Sequence, residues 1–119
     1  FGKDRLVRVL ASQAAVPWLS EQILGWKDAA RHADALAVAP YFGHDYGTAE
    51  AARRVAGMTP DQLLDGLAKE VDGPNRELIR QQAAAAAKHG LKLIAYEGGQ
   101  HLVGTGGAEN DERLTALFH

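Results

Sequence analysis

Three short aliphatic runs stand out in a chain whose apolar positions otherwise recur at helical spacing. They are Leu6-Val7-Arg8-Val9-Leu10-Ala11, Ala35-Leu36-Ala37-Val38-Ala39-Pro40-Tyr41-Phe42 and Leu91-Lys92-Leu93-Ile94-Ala95-Tyr96. Their length and their β-branched and aliphatic content predict buried strands. Pro40 ends regular pairing in the second. Between the first two, Pro17 suits a first helical turn, and Leu19, Ile23, Trp26, Ala30 and Ala33 form one apolar stripe that puts Trp26 in the core. Ala49 to Ala56 predicts a short helix closed by Gly57. Thr59-Pro60-Asp61-Gln62 is a capped helix start, with Leu63, Leu64, Leu67 and Val71 as its inner face. Gly73-Pro74-Asn75 breaks that helix. Glu77 to His89, with five consecutive alanines and Gly90 as C-cap, predicts a strong helix, and Glu109 to Phe118 a last one.

The order strand, helix, strand, helices, strand, helix predicts an α/β fold with parallel strands joined by right-handed crossovers. A complete (β/α)8 TIM barrel takes about 250 residues. Three βα units in residues 1–119 are therefore expected to form a single domain that is a partial, half barrel. Parallel strands need cover on both faces, and open edges favour association. A homo-oligomer, with a dimer favoured, follows as an expectation.

The composition narrows the function classes. The chain has 119 residues, 46% of them apolar and 24% charged, within the globular range. A net charge of −2 excludes the strong basic footprint of a general nucleic-acid binder. Without cysteine there is no thiolate zinc site and no thiol nucleophile. No apolar run approaches the ~20 residues of a membrane helix, so no membrane partner is expected. Phe1-Gly2-Lys3-Asp4-Arg5 does not read as a signal peptide. No cofactor is implied, and no His-x-x-x-His pair points to a metal.

Candidate chemistry gathers after the strands, where parallel βα architectures bind ligands. Ser12 and Gln13 follow the first; Tyr41, His44, Asp45 and Tyr46 follow the second; Glu97, Gln100 and His101 follow the third. Glu97 ends an apolar strand and precedes two glycines that leave room for a ligand, the setting of a nucleophile or general base. Tyr41 is placed to hydrogen-bond that carboxylate. Gln13, His44, Asp45, Gln100 and His101 are candidate substrate contacts, and Trp18, at the start of a helix beside the strand ends, a candidate sugar-stacking platform. Gly104-Thr105-Gly106-Gly107 before a helix is a further candidate, as a phosphate cradle, although it lacks a P-loop lysine.

Arg8-Val9-Leu10-Ala11-Ser12-Gln13, Ala37-Val38-Ala39-Pro40-Tyr41-Phe42-Gly43 and Ala95-Tyr96-Glu97-Gly98-Gly99-Gln100-His101 together resemble the later part of a bacterial family related to the clan A glycoside hydrolases, described as cellulase-like or cellulose-binding. The resemblance covers nearly the whole chain, and Tyr-Glu-Gly-Gly-Gln-His is its most specific piece. It implies a (β/α)8 barrel and retaining hydrolysis of β-linked glucosides or glucans by two glutamates. It makes the three strands the fifth, sixth and seventh of the barrel, Glu97 the nucleophile and Tyr41 the residue that orients it. The family's acid/base glutamate usually follows an asparagine, and this chain has no Asn-Glu pair. Asp45, His101 or a residue of another copy is then left as proton donor. The other function class is a non-catalytic carbohydrate-binding or scaffold fragment. A polymeric substrate favours an extracellular or periplasmic setting.

Overall fold

A computed structural model describes residues 2–119. Its strands are β1 (Val9–Ala11), β2 (Ala35–Val38), β3 (Tyr41–Phe42), β4 (Lys92–Ala95) and β5 (Gly99–Gln100). Its helices are α1 (Pro17–Gly25), α2 (Ala49–Val55), α3 (Pro60–Glu70), α4 (Arg76–Lys88) and α5 (Glu112–Phe118). Among the described residues all strand pairing is parallel, which places the chain in the α/β class. Two compact units divide it. The first runs to Pro40 and resumes over Arg76–Gly98, and the second takes Tyr41–Asn75 and Gly99–His119. No helix among the described residues is long and apolar enough to cross a membrane.

The first unit holds a three-stranded sheet in the order β1-β2-β4. Leu10 pairs with Leu36 and Leu36 with Leu93, so the three leucines lie side by side on one face. There they pack against Leu24, Ala30 and Ala86. Leu36 is fully buried at the centre. On the opposite face Ala35 and Ala37 of the central strand are buried, whereas Val9 and Ile94 on the flanking strands are partly exposed. Gly90 closes α4 at φ +72, in the left-handed region that glycine adopts without strain.

Two expectations for this unit are corrected. Pairing of the first strand starts at Val9, and Leu6 and Val7 are exposed rather than buried. The amide groups of Asp34 and Ala35 both donate to the Arg8 carbonyl, which sets where the ladder begins. Trp26 is not core, being 67% exposed. α1 ends at Gly25, Trp26 takes an extended backbone, and Lys27 turns the chain at φ +48. Ala30 reaches the core from a separate 3-10 turn over Ala29–His32.

The second unit is built around β3 and β5, in register Tyr41↔Gly99 and Phe42↔Gln100. The second aliphatic run is therefore two strands in two different sheets, divided at Pro40, whose missing N–H cannot continue a ladder. Val55, Ala108 and Leu114 form the unit's core, with Tyr46, Met58 and Leu117 packed on it. The capping box at Thr59 and Gln62 forms as predicted. α3 buries only Leu63 and Leu67, four residues apart. Leu64, 100° round the helix, is exposed, and so is Val71. Gly73-Pro74-Asn75 does not break the chain into a loop but lies within a wide π-type turn, Val71–Asn75. α5 starts at Glu112, because the Asp111 carboxylate accepts from the Arg113 and Leu114 amides at 2.9 and 3.0 Å.

Candidate functional site

The three strands of the first unit run in one direction, so their chain segments leave from one edge. Ser12 and Gln13 follow β1, Ala39 and Pro40 follow β2, and Tyr96 and Glu97 follow β4. The segment after β1 is fixed by a buried polar network. Ser20 Oγ lies 2.7 Å from Ser12 Oγ and donates to Gln82 Oε1 at 2.6 Å. The glutamine oxygen can only accept, so the single Ser20 proton goes there and Ser12 donates to Ser20. Gln82 Nε2 in turn donates to the Gln13 and Ala14 carbonyls at 2.8 and 2.9 Å. Ser20 and Gln82 are fully buried, so the loop is pinned to α1 and α4 from inside. Ser12 is thereby a structural residue, while the Gln13 side chain stays exposed.

Sequence reasoning passed over Ser20 and Gln82. The signal was present: Gln82, Ala85 and Ala86 share one face of α4, and a polar side chain on such a stripe must find partners.

Glu97 is exposed and makes no hydrogen bond or ion pair with any described residue. Tyr96, just before it, is also exposed. The glycines after it have different roles. A Cβ at Gly98 would meet Pro40 Cδ and Cγ at 3.2 and 3.3 Å, so this glycine admits the proline ring rather than a ligand. Gly99, at φ +147, has open space where a Cβ would stand.

The amino edge of the same sheet differs. Arg8 donates to Asp34 three times, from its backbone N and Nε to Oδ2 and from a terminal guanidinium nitrogen to Oδ1, at 2.8, 3.0 and 2.6 Å. The Arg8 side-chain and backbone donors hold the Asp34 carboxyl down at about 2, against burial, which opposes the shift slightly. The same pair pushes the Arg8 guanidinium up. Fork-to-fork geometry of this kind ties β1 to β2 and carries no free valence for chemistry.

The remaining predicted site residues belong to the second unit. There the rings of Tyr41 and His101 meet edge to face with centroids 5.9 Å apart, and His44 tilts toward His101 at 5.4 Å. The His101 backbone amide donates to the Phe42 carbonyl at 2.7 Å, which fixes the residue just past β5. Its Nδ1 is buried and has no partner among the described residues, so the cluster keeps an unused polar atom beside two aromatic rings. Gln100 Oε1 accepts from the Leu102 amide and is spent on a local turn. Asp45 is exposed in a 3-10 turn, and its carbonyl accepts from Thr48 Oγ1. The Gly104 to Gly107 segment is not a vacant phosphate cradle: the Gly107 amide donates to the Glu109 carboxylate at 2.8 Å, and Thr105 is tied through its backbone to Gly47 and Ala49. Trp18 is 68% exposed at the first turn of α1, as a stacking platform requires.

No protein-family model, no curated protein and no solved structure matches the chain. The functional reading therefore rests on these groups alone.

Proposed function

We propose that the chain is a glycoside hydrolase-like half (β/α)8 barrel of the cellulase-like kind, acting on β-linked glucosides or glucans with Glu97 as nucleophile. The observation that carries this reading is the Glu97 carboxylate: exposed, unpaired and set past the carboxyl end of a parallel strand, where βα folds place their chemistry. A carboxylate free of arginine retains its nucleophilicity and its access to a sugar ring. Retaining hydrolysis takes two carboxyl groups about 5–5.5 Å apart. The general acid is then supplied from outside the segments that follow β1 and β2 in the first unit, by strands of a second copy that complete the barrel. β1 and β4 are the edge strands of their three-stranded sheet, and edge strands favour such a homo-oligomer.

Turnover of a chromogenic aryl β-glucoside tests the reading. Glu97→Ala abolishes it while circular dichroism stays unchanged, and added azide restores release of the aryl group by standing in for the lost nucleophile. Turnover equal to the parent's in Glu97→Ala overturns the assignment.

A second reading is favoured by one feature. Gln13 and Pro40, the nearest companions of Glu97 by topology, carry no carboxyl group. A non-catalytic carbohydrate-binding fragment follows if calorimetry finds oligosaccharide binding without turnover.

A further inference from the structure

The carbonyls of Gln13 and Ala14 both point into the first unit, because Gln82 Nε2 gives one hydrogen to each, at 2.8 and 2.9 Å. Gln82 is fully buried on α4 and its Oε1 accepts from Ser20, so its orientation is fixed. A trans peptide is planar and sets its C=O and N–H in opposite directions, and no peptide bond among the described residues is cis. The inward Gln13 carbonyl therefore turns the Ala14 amide outward, and the inward Ala14 carbonyl does the same for the Ala15 amide. Neither amide has a hydrogen-bond partner among the described residues. Ser12 and Val16, which bracket this turn, do use theirs, on the Ala37 and Gln13 carbonyls at 2.9 and 3.3 Å. Ala14 is half-buried and Ala15 exposed, and their methyl side chains leave the N–H groups within reach of a ligand.

A loop carbonyl that faces water is satisfied without any help from the protein. Turning two of them inward instead spends three hydrogen bonds of a buried side chain and leaves two aimed donors at the surface. They lie just after β1, at the sheet edge where parallel βα folds meet their ligands. Donors select a ligand that offers acceptor oxygens, and a backbone N–H already held in place loses no side-chain freedom on binding. The exposed Gln13 side chain makes no hydrogen bond within the described residues and adds an amide on the same turn. We propose that the Ala14 and Ala15 amides are a donor pair for the hydroxyl oxygens of a β-glucan and that Gln82 is the positioning residue that aims them, an assignment that rests on the sugar reading of this edge but not on Glu97 as nucleophile.

Titration with cellotetraose, followed by amide-resolved NMR of the full chain, reads the two groups directly. The Ala14 and Ala15 amide protons are expected to move downfield along one saturable curve. Gln82→Met keeps the length of the side chain and removes its donors. It is expected to weaken that binding about tenfold, the worth of two neutral hydrogen bonds, and in turnover of an oligosaccharide to raise KM while leaving kcat unchanged. Asp34→Asn, at the opposite edge of the same sheet, lowers stability and leaves the titration as in the parent, which separates aiming of the amides from a general loss of stability. Oligosaccharide binding that leaves both amides of the parent unmoved overturns the assignment, whether or not Gln82→Met folds, and leaves the sugar reading standing. So does binding that a folded Gln82→Met retains in full. No response anywhere in the spectrum, with no turnover, overturns the sugar reading and this assignment together. A response of the two amides to inorganic phosphate and not to cellotetraose overturns the choice of a sugar as their ligand.

Discussion

The two edges of the first unit's sheet carry one conspicuous carboxylate each, and their surroundings are opposite. Asp34, at the amino edge, takes three donors from Arg8 and is tied into the ladder between β1 and β2. Glu97, past the carboxyl edge, takes none. The backbone beside each edge is ordered in both places, but by different means. The amino edge is clamped at the surface by charge, while the carboxyl edge is held from beneath by the neutral Ser12-Ser20-Gln82 network. The stabilising charge thus sits away from the edge where chemistry is placed in βα folds. Glu97 itself follows β4, on the far side of β2 from that loop, and its segment is tied to β2 by the Tyr96 amide, which donates to the Val38 carbonyl at 3.2 Å.

The sharpest way to break this contrast is to remove the buried support. Gln82→Ala leaves the Ser20 hydroxyl without its acceptor and the Gln13 and Ala14 carbonyls without their donor. Each unsatisfied buried group costs about 1–3 kcal/mol, so a loss on the order of 3 kcal/mol in the unfolding free energy is expected from urea denaturation. A loss under about 1 kcal/mol would show that water replaces the side chain freely. The loop after β1 would then not be pinned.

The clamp gives a smaller effect, legible in its pH dependence. The folded-state pKa of Asp34 lies at about 2, below its ordinary value of 3.8. A group depressed in the folded state stabilises the protein above its unfolded pKa, and that contribution is lost as pH falls toward the folded one. The chain is therefore expected to lose stability between about pH 4 and pH 2 on this account. Asp34→Asn is less stable at neutral pH and lacks that part of the acid limb. Both groups are half-exposed, so salt weakens the effect. Thermal melts of the two proteins at stepped pH read it directly, and parallel acid limbs would show that the ion pair contributes nothing.

The two edges were not equally readable from the sequence. The parallel order of the main strands, the Thr59 cap and the Gly90 stop follow from local chemistry, which is why they survive in the structure. Trp26 fails because a periodic stripe assumes that the helix continues, and α1 stops one residue short of it. Leu64 fails because α3 buries a narrow stripe, set by what packs on it rather than by its own pattern. Pro40 marked the end of pairing, but nothing local says that Tyr41 and Phe42 then join another sheet with Gly99 and Gln100. Of the candidate residues, Tyr41 and His44 meet His101, which lies far along the chain from both, in one cluster. Gly98 looked like ligand space and is instead room for Pro40, a contact of high sequence separation that no local motif encodes. Asp34 drew no notice, because an aspartate before a strand is common and its partner lies on the neighbouring strand.

The smallest expected effect decides most about Glu97. Glu97→Gln keeps the shape of the side chain and removes its charge. A carboxylate solvated by water and free of protein donors has nothing to lose structurally, so stability is expected to change by no more than about 0.5 kcal/mol. Asp34→Asn, the same chemical change at the other edge, is the control, and its stability falls where that of Glu97→Gln does not. A fall in Glu97→Gln as large as in Asp34→Asn would mean that the residue at 97 is held by a partner in solution, and a held carboxylate is a structural one. A neutral result coupled with loss of glycoside turnover separates the two roles: a residue that matters to the reaction and not to the fold is placed for chemistry. A neutral result with turnover intact removes the catalytic role and leaves the carboxyl edge as a binding surface.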